Sequence, residues 1–342
     1  MADALIRKEG MAGRITLYRP EALNALTHQM CLDIETALNT WAKDPDVALV
    51  LIDATGDRAF CAGGDIAKMY ATGTAGDFSY GRRFWQDEYR LNALIARYEK
   101  PIITFLHGFT MGGGVGLGCH AAHRVVCESS QIAMPEVSIG LVPDVGGSLL
   151  LARAPGRLGE YFGLTAARMS AATAIMAGFA DLYVPFEDWD GLKRALIDAR
   201  DMGALDTFAK PPGSVEVEEI TGCFAAPNLT DIAAMLAKSA TSAAKDALKR
   251  MERHSPLAMA GALAIIRGQR EGGDIATALR QEYRFTARSM EHGDFLEGIR
   301  AQIIHKDKSP RWRHSMDTLP EKAVDRMLAP LGEEELKLED GV

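Results

Sequence analysis

Two carboxylates and two glycine turns are the residues in this chain whose types and spacing can do chemistry. Glu136 in AMPEVSIG and Asp144 in LVPDVGG each follow a proline, and each lies in an otherwise apolar stretch. A carboxylate flanked by Met134, Val137 and Ile139, or by Val142 and Val145, faces desolvation, which favours its neutral form and tunes it for acid or base work. Taken singly, either residue would more often serve as a turn or helix cap after proline. Upstream, Met111-Gly112-Gly113-Gly114 joins an apolar run, Ile102 to Leu106, to a small-residue run, Val115 to Ala122. Backbone N–H groups at the start of a helix lack internal partners and favour negative charge. A glycine triplet alone is equally explained by close packing or positive φ.

The elements that must position these groups follow from periodicity. Arg14 to Tyr18 alternates as a strand, RPEALNALT breaks it at Pro20 and Asn24, and a helix capped by Thr27 runs to about Lys43. Val47 to Ala54 reads as a buried strand ending in TGDRAFCAGGDI, which carries the pair Gly63-Gly64. Ala71 to Gly81 is loop-like, and Arg82 to Tyr98 is an amphipathic helix bearing Glu88. Beyond Gly147, helical segments Ser148 to Leu164 and Ala166 to Met176 lead to a last core strand, Ala180 to Val184. The recurrence of strand, glycine turn and helix predicts an α/β fold of stacked ββα units, and no G-x-G-x-x-G follows the first strand, which argues against a nucleotide-redox fold. From about Asp188 the pattern is helical, broken at Pro211-Pro212, Pro227-Asn228, Ser255-Pro256 and Gly272-Gly273. The expected division is therefore a core over 1–187 and a helical region over 188–342, with the terminal charge run EEELKLED solvated.

Composition narrows the class. A chain of 342 residues with 47% hydrophobic and 25% charged residues is that of a soluble globular protein, long enough for a core and a second module. A net charge of −8 argues against nucleic-acid binding, which needs a basic face. Cys31, Cys61, Cys119, Cys127 and Cys223 are odd in number, scattered and without metal-like spacing, and read as free thiols in a reducing compartment. Cys61, in a glycine-rich loop, has no histidine assignable to it as a nucleophile's base. His107, His120 and His123 are not at ligand spacing, so no metal is expected. MADALIRKEGMAG has no apolar signal core and no apolar run approaches the ~20 residues of a membrane span, so the expectation is a cytoplasmic enzyme.

Four motifs in order, RPEALNALT, AFCAGGDI, HGFTMGGGVGLG and MPEVSIGLVPDVGG, resemble the crotonase (enoyl-CoA hydratase/isomerase) superfamily. DEYRLN (Asp87 to Asn92), EYRFTARSMEHGDFLEGIRA (Glu282 to Ala301) and DKSPRW (Asp307 to Trp312) are similar to its 3-hydroxyisobutyryl-CoA hydrolase branch; between Lys210 and His254 no signature is recognisable.

The resemblance implies a crotonase-like spiral of ββα units with a helical C-terminal region used for self-association and for covering the site. It implies an oxyanion hole of the Gly64 and Gly113 backbone N–H groups. The hydratases' first catalytic glutamate falls on Gly116, so one of their pair is missing, while Glu136 holds the second position and Asp144 stands where hydratases usually carry glycine. By the same resemblance Glu136 is the catalytic carboxylate, Asp144 binds the substrate hydroxyl and orients water or Glu136, and Glu88 contacts the acyl group. The implied reaction is hydrolysis of a short β-hydroxyacyl-CoA, 3-hydroxyisobutyryl-CoA in valine catabolism, with no cofactor beyond the CoA of the substrate itself, and homo-oligomerisation is open. An enoyl-CoA isomerase or hydratase, and a silent acyl-CoA-binding assembly subunit, are the alternatives.

Overall fold

The computed structural model describes residues 3–198, 201–215 and 219–338. A hairpin opens the chain, β1 (Ala4–Glu9) antiparallel to β2 (Ala12–Leu17), and α1 (His28–Ala42) follows with the Thr27 side chain accepting from Met30 N at 3.2 Å. Three turns of a spiral come next. They carry β3 (Leu49–Ala54) and β4 (Ala59–Cys61), then β5 (Ile102–Leu106) and β6 (Phe109–Met111), then β7 (His123–Val126) and β8 (Gln131–Ala133). The first member of each pair joins a six-stranded sheet, β1-β2-β3-β5-β7-β9, which β9 (Leu182–Tyr183) completes; the second joins a three-stranded parallel sheet, β4-β6-β8. The expected stacked ββα units are this alternation between two sheets.

Both faces of the large sheet are covered, which is why its central strands are mostly apolar, with Thr104 and the ion-paired Asp53 as buried exceptions. Val50 and Ile52 face the main core, whereas Leu49 and Leu51 face a second cluster with Phe105, Trp189, Leu192 and Leu196. The helices between and after the strands are α2 (Ala67–Thr74), α3 (Ser79–Ala96), α4 (Gly113–Gly118), α5 (Gly147–Arg153), α6 (Leu158–Thr165), α7 (Ala171–Met176) and α8 (Trp189–Asp198). Then come α9 (Ala204–Phe208), α10 (Leu229–Lys238), α11 (Ser242–Met251), α12 (Pro256–Gln269), α13 (Ile275–His292), α14 (Phe295–Ile299) and α15 (Ala323–Leu328), and among the described residues no strand follows Tyr183. None of the helices is long and apolar enough to cross a membrane.

Four local expectations are corrected, and the hairpin strand β1, ALIRKE, with three apolar and three charged residues, was not foreseen. Ala71 to Thr74 is helical, because Gly73 serves close packing: a Cβ there would meet Leu296 Cδ2 at 2.8 Å. The run Val115 to Ala122 is replaced by a six-residue helix that begins at Gly113 and ends at Gly118, too short for a substantial macrodipole. Ser148 to Leu164 is two helices, broken where Pro155 meets Gly156 at φ +57°. The tail is not simply solvated, since Leu336 and Leu338 are buried and Glu335 pairs with Arg284 at 2.6 Å; residues 339–342 lie outside the described ones.

RPEALNALT acts as a bracket for the first glycine turn. Asn24, buried at φ +54°, accepts from Arg19 N at 2.9 Å and donates to Thr55 O at 2.9 Å and Ala59 O at 2.8 Å. The adjoining backbone then bonds the turn itself, Leu26 N to Gly63 O at 2.9 Å and Asp65 N to Leu26 O at 2.8 Å. Asn24→Ala leaves two carbonyls and one amide without their partner in a buried place, so chemical denaturation should show a loss of about 1–3 kcal/mol or more.

Candidate active site

The C-terminal ends of the three small-sheet strands meet at one cavity. After β4 the chain turns through Gly63 (φ +117°) into Gly64, after β6 through Gly112 (φ +49°) into Gly113, and after β8 through Pro135 into a 3-10 turn starting at Glu136. The positive φ requires glycine at 63 and 112, and at Gly113 the close approach of Glu88 Oε1 leaves no room for a side chain. Neither the Gly64 nor the Gly113 N–H donates to a protein acceptor among the described residues. The turns touch: a Cβ on Gly113 would lie 3.4 Å from Gly64 N and 2.7 Å from Glu88 Oε1, and one on Gly112 would lie 3.0 Å from Glu136 Oε1.

The cavity has a volume of about 690 Å³, within the usual range for a small-molecule site, and Gly64, Glu88, Gly113, Glu136 and Asp144 all line it. Ile66, Phe84 and Trp85 give it apolar walls, and the C-terminal region adds Phe295, Gln302 and Ile303. Tyr89, one residue after Glu88 on α3, donates its hydroxyl to Asp144 Oδ2 at 2.7 Å. Oε1 of Glu88 and Oε2 of Glu136 are buried with no hydrogen-bond partner, so each has capacity for something in the cavity.

Glu88, Glu136 and Asp144 are each at most 5% exposed, and none has a cation within salt-bridge distance among the described residues. Burial therefore raises all three. It lifts Asp144 to about 7 against the opposing Tyr89 hydrogen bond. It pushes Glu136 well above the ordinary carboxylate range, with the charge of Asp144 the next contributor, and acts on Glu88 in the same way. Such a set holds protons near neutrality and can release or accept them there.

Every residue expected at the site is thus in one place. Cys61 is not a nucleophile: its thiol is buried, its Sγ lies 3.6 Å from Gly63 O, and burial pushes it up to about 12. His120 is half-buried, lowered to about 4 by desolvation and bonded through Nε2 to Val145 O at 2.8 Å, a scaffold contact to the Asp144 loop. Sequence reasoning missed Tyr89, Asn92 and Glu282. The first two sit inside DEYRLN and the third opens EYRFTARSMEHGDFLEGIRA, but none of them lines the cavity, and periodicity cannot tell which distant residues the side chains of a doubly buried helix will meet. Among the described residues no group of three or more His, Cys, Asp or Glu side chains could hold a metal ion.

Two glycine-built amides opposite buried carboxylates, on a spiral of ββα turns, define an enzyme of the crotonase fold. The family model for enoyl-CoA hydratase/isomerase matches residues 12–328, and the chain belongs to that family. Its relatives include proteins named 3-hydroxyisobutyryl-CoA hydrolase, mitochondrial. That of Gallus gallus is 35% identical over 98% of this chain and 91% of its own, and that of Homo sapiens 34% over 98% and 90%. Among solved structures, an enoyl-CoA hydratase from Rhodobacter sphaeroides 2.4.1 is 51% identical with a TM-score of 0.91, covering 98% of this chain and 100% of its own. A carnitinyl-CoA dehydratase from Mycobacterium thermoresistibile is 40% identical with a TM-score of 0.95, covering 100% of both chains.

The electrostatics give a signed pH prediction. If turnover needs the ionised Glu136, kcat/KM falls on the acid side as the Glu136–Asp144 pair takes up protons, because burial raises both above the ordinary carboxylate range, Asp144 to about 7. Asp144→Asn removes a charge that helps hold the Glu136 proton, so the acid limb of the residual activity should move to lower pH. A limb that stays put or moves up would show that the two carboxyls do not sense each other.

Proposed function

We propose that this enzyme hydrolyses a short β-hydroxyacyl-CoA thioester, 3-hydroxyisobutyryl-CoA above all, to the free hydroxy acid and CoA. The observation that carries this reading is the composition of the carboxylate set. Glu136 and Asp144 line the cavity opposite the two free amides, while α4 has no place for a second acid: a Cβ on Gly116 would meet Asn92 Nδ2 and Val145 Cβ, each at 2.7 Å. A hydratase of this family would carry its first glutamate on α4; with that place closed, Glu136 is left to attack the thioester or to activate water, and Asp144 to bind the substrate. The relatives named as hydrolases over nearly the full length support the same choice.

In this reading the thioester oxygen sits between the N–H groups of Gly64 and Gly113, whose donors are fixed before charge develops. Glu136 either attacks the carbonyl carbon, expelling the CoA thiolate and leaving a mixed anhydride that water opens, or takes a proton from water as the water attacks. Both routes consume one water and return Glu136 as a carboxylate. Asp144 keeps one oxygen on Tyr89, and its other oxygen, bonded to no other residue among the described ones, receives the substrate's β-hydroxyl.

Glu136→Gln should lower kcat by at least about a hundredfold while substrate still binds. A single turnover in heavy-oxygen water separates the routes, since only the anhydride route places label in Glu136. A near-normal rate of CoA release in the variant would end the assignment.

A second reading, hydration of an enoyl-CoA, is favoured by the 51% identical structure that bears the hydratase name. Crotonyl-CoA separates the two, because hydration removes its conjugated ultraviolet absorbance without freeing thiol. Hydroxyl recognition by Asp144 is checked with isobutyryl-CoA, which should be poorer than the hydroxylated ester by as much as about 10⁴-fold, a gap that Asp144→Ala narrows.

A further inference from the structure

Glu282, on α13 of the C-terminal region, does not line the cavity, yet it is wholly buried and carries a carboxylate. The chain has another such residue, Glu160, but Arg270 at 2.6 Å and Arg157 at 2.8 Å neutralise it. Glu282 has no cation within salt-bridge distance among the described residues, and its bonds go only to neutral donors: Gly146 N at 2.7 Å, Ser148 N at 3.1 Å and the Ser148 hydroxyl. Burying a carboxyl group this way is costly in either protonation state, and an apolar side chain would serve packing alone at less cost.

All three donors lie on the segment that runs from Asp144 into α5. That segment is unusual. Val145 is held at φ +53° and Gly146 at φ +78°, and a Cβ on Gly146 would meet Ile275 Cδ1 of α13 at 2.5 Å and His120 Nε2 at 2.6 Å. A non-glycine residue persists in the left-handed region only where its surroundings dictate it. Here Glu282 holds the segment from one side, the His120 contact to Val145 O at 2.8 Å holds it from another, and Tyr89 holds the Asp144 carboxylate itself.

We propose that Glu282 is a positioning residue for the reaction: by binding the amides of Gly146 and Ser148 it sets Asp144 at the cavity, so that the C-terminal helical region controls a carboxylate it does not touch. This rests on the reading of Asp144 given above. Glu282→Gln keeps the size of the side chain but turns an NH₂ toward N–H donors, so the segment must shift.

The test is a double-mutant cycle with Asp144→Asn. Glu282→Gln should lower kcat by about 10- to 100-fold with little change in KM, the usual cost of misplacing a working group by about an ångström. In the Asp144→Asn background the same substitution should change kcat less than about twofold, because the group it acts through is already gone. A loss of equal size in both backgrounds, or a fall in melting temperature with wild-type kcat, overturns the proposal. Should Glu282→Gln not fold, Glu282→Asp, which keeps the carboxyl group but draws it back from both amides, goes through the same cycle, and wild-type kcat in that variant overturns the proposal. A wild-type enzyme that leaves 3-hydroxyisobutyryl-CoA intact would overturn the hydrolase reading alone; the cycle is then run on the acyl-CoA ester that the wild type turns over.

Discussion

Burial of carboxyl groups without cations is the constraint on which the rest of this structure depends. Glu88, Glu136, Asp144 and Glu282 come from four stretches of chain, all are nearly or wholly buried, and none has a salt-bridge partner among the described residues. Each is raised by burial, Asp144 to about 7 and Glu282 to about 8. In the folded state they keep protons that an unfolded chain would have released, so their contribution to stability falls as pH rises from the ordinary carboxylate range through those values. A fold that accepts this has to compensate elsewhere, and the mostly apolar strands of the large sheet, packed on both faces, are where it does.

The small sheet converts that scaffold into a site. Successive turns of the spiral each contribute one short parallel strand, and the ends of those strands are where Gly64, Gly113 and Glu136 emerge side by side. Each strand is three residues long and pairs with its neighbours in the small sheet, and the end of β4 is held in addition by the Asn24 bracket. Rigid placement of amides before charge develops is what gives such donors their value. The helical C-terminal region takes part as well, with Phe295 and Ile303 on the cavity wall and Glu282 on the segment beyond Asp144.

Much of this was legible beforehand. Paired glycines after apolar runs marked both turns, because only glycine takes the φ of Gly63 and Gly112 without strain. Proline-carboxylate pairs in apolar surroundings marked Glu136 and Asp144. The hairpin strand β1 and the helix through Gly73 were not legible, since the first is stabilised by pairing and the second by a close approach that a local pattern does not record.

What the sequence by itself determined was local: which residues could turn, which runs had to be buried, and which carboxylates would lose their water. These follow from side-chain volume, polarity and backbone freedom, properties a residue carries with it. Only the tertiary structure decided what those residues meet. That Tyr89 reaches Asp144 across 55 positions, that Glu282 binds Gly146 across 136, and that Asn92 fills the space beside Gly116 are facts of distance between segments. A pattern along one helix cannot encode them, because whether a buried polar group is satisfied depends on the atoms that the rest of the fold brings against it.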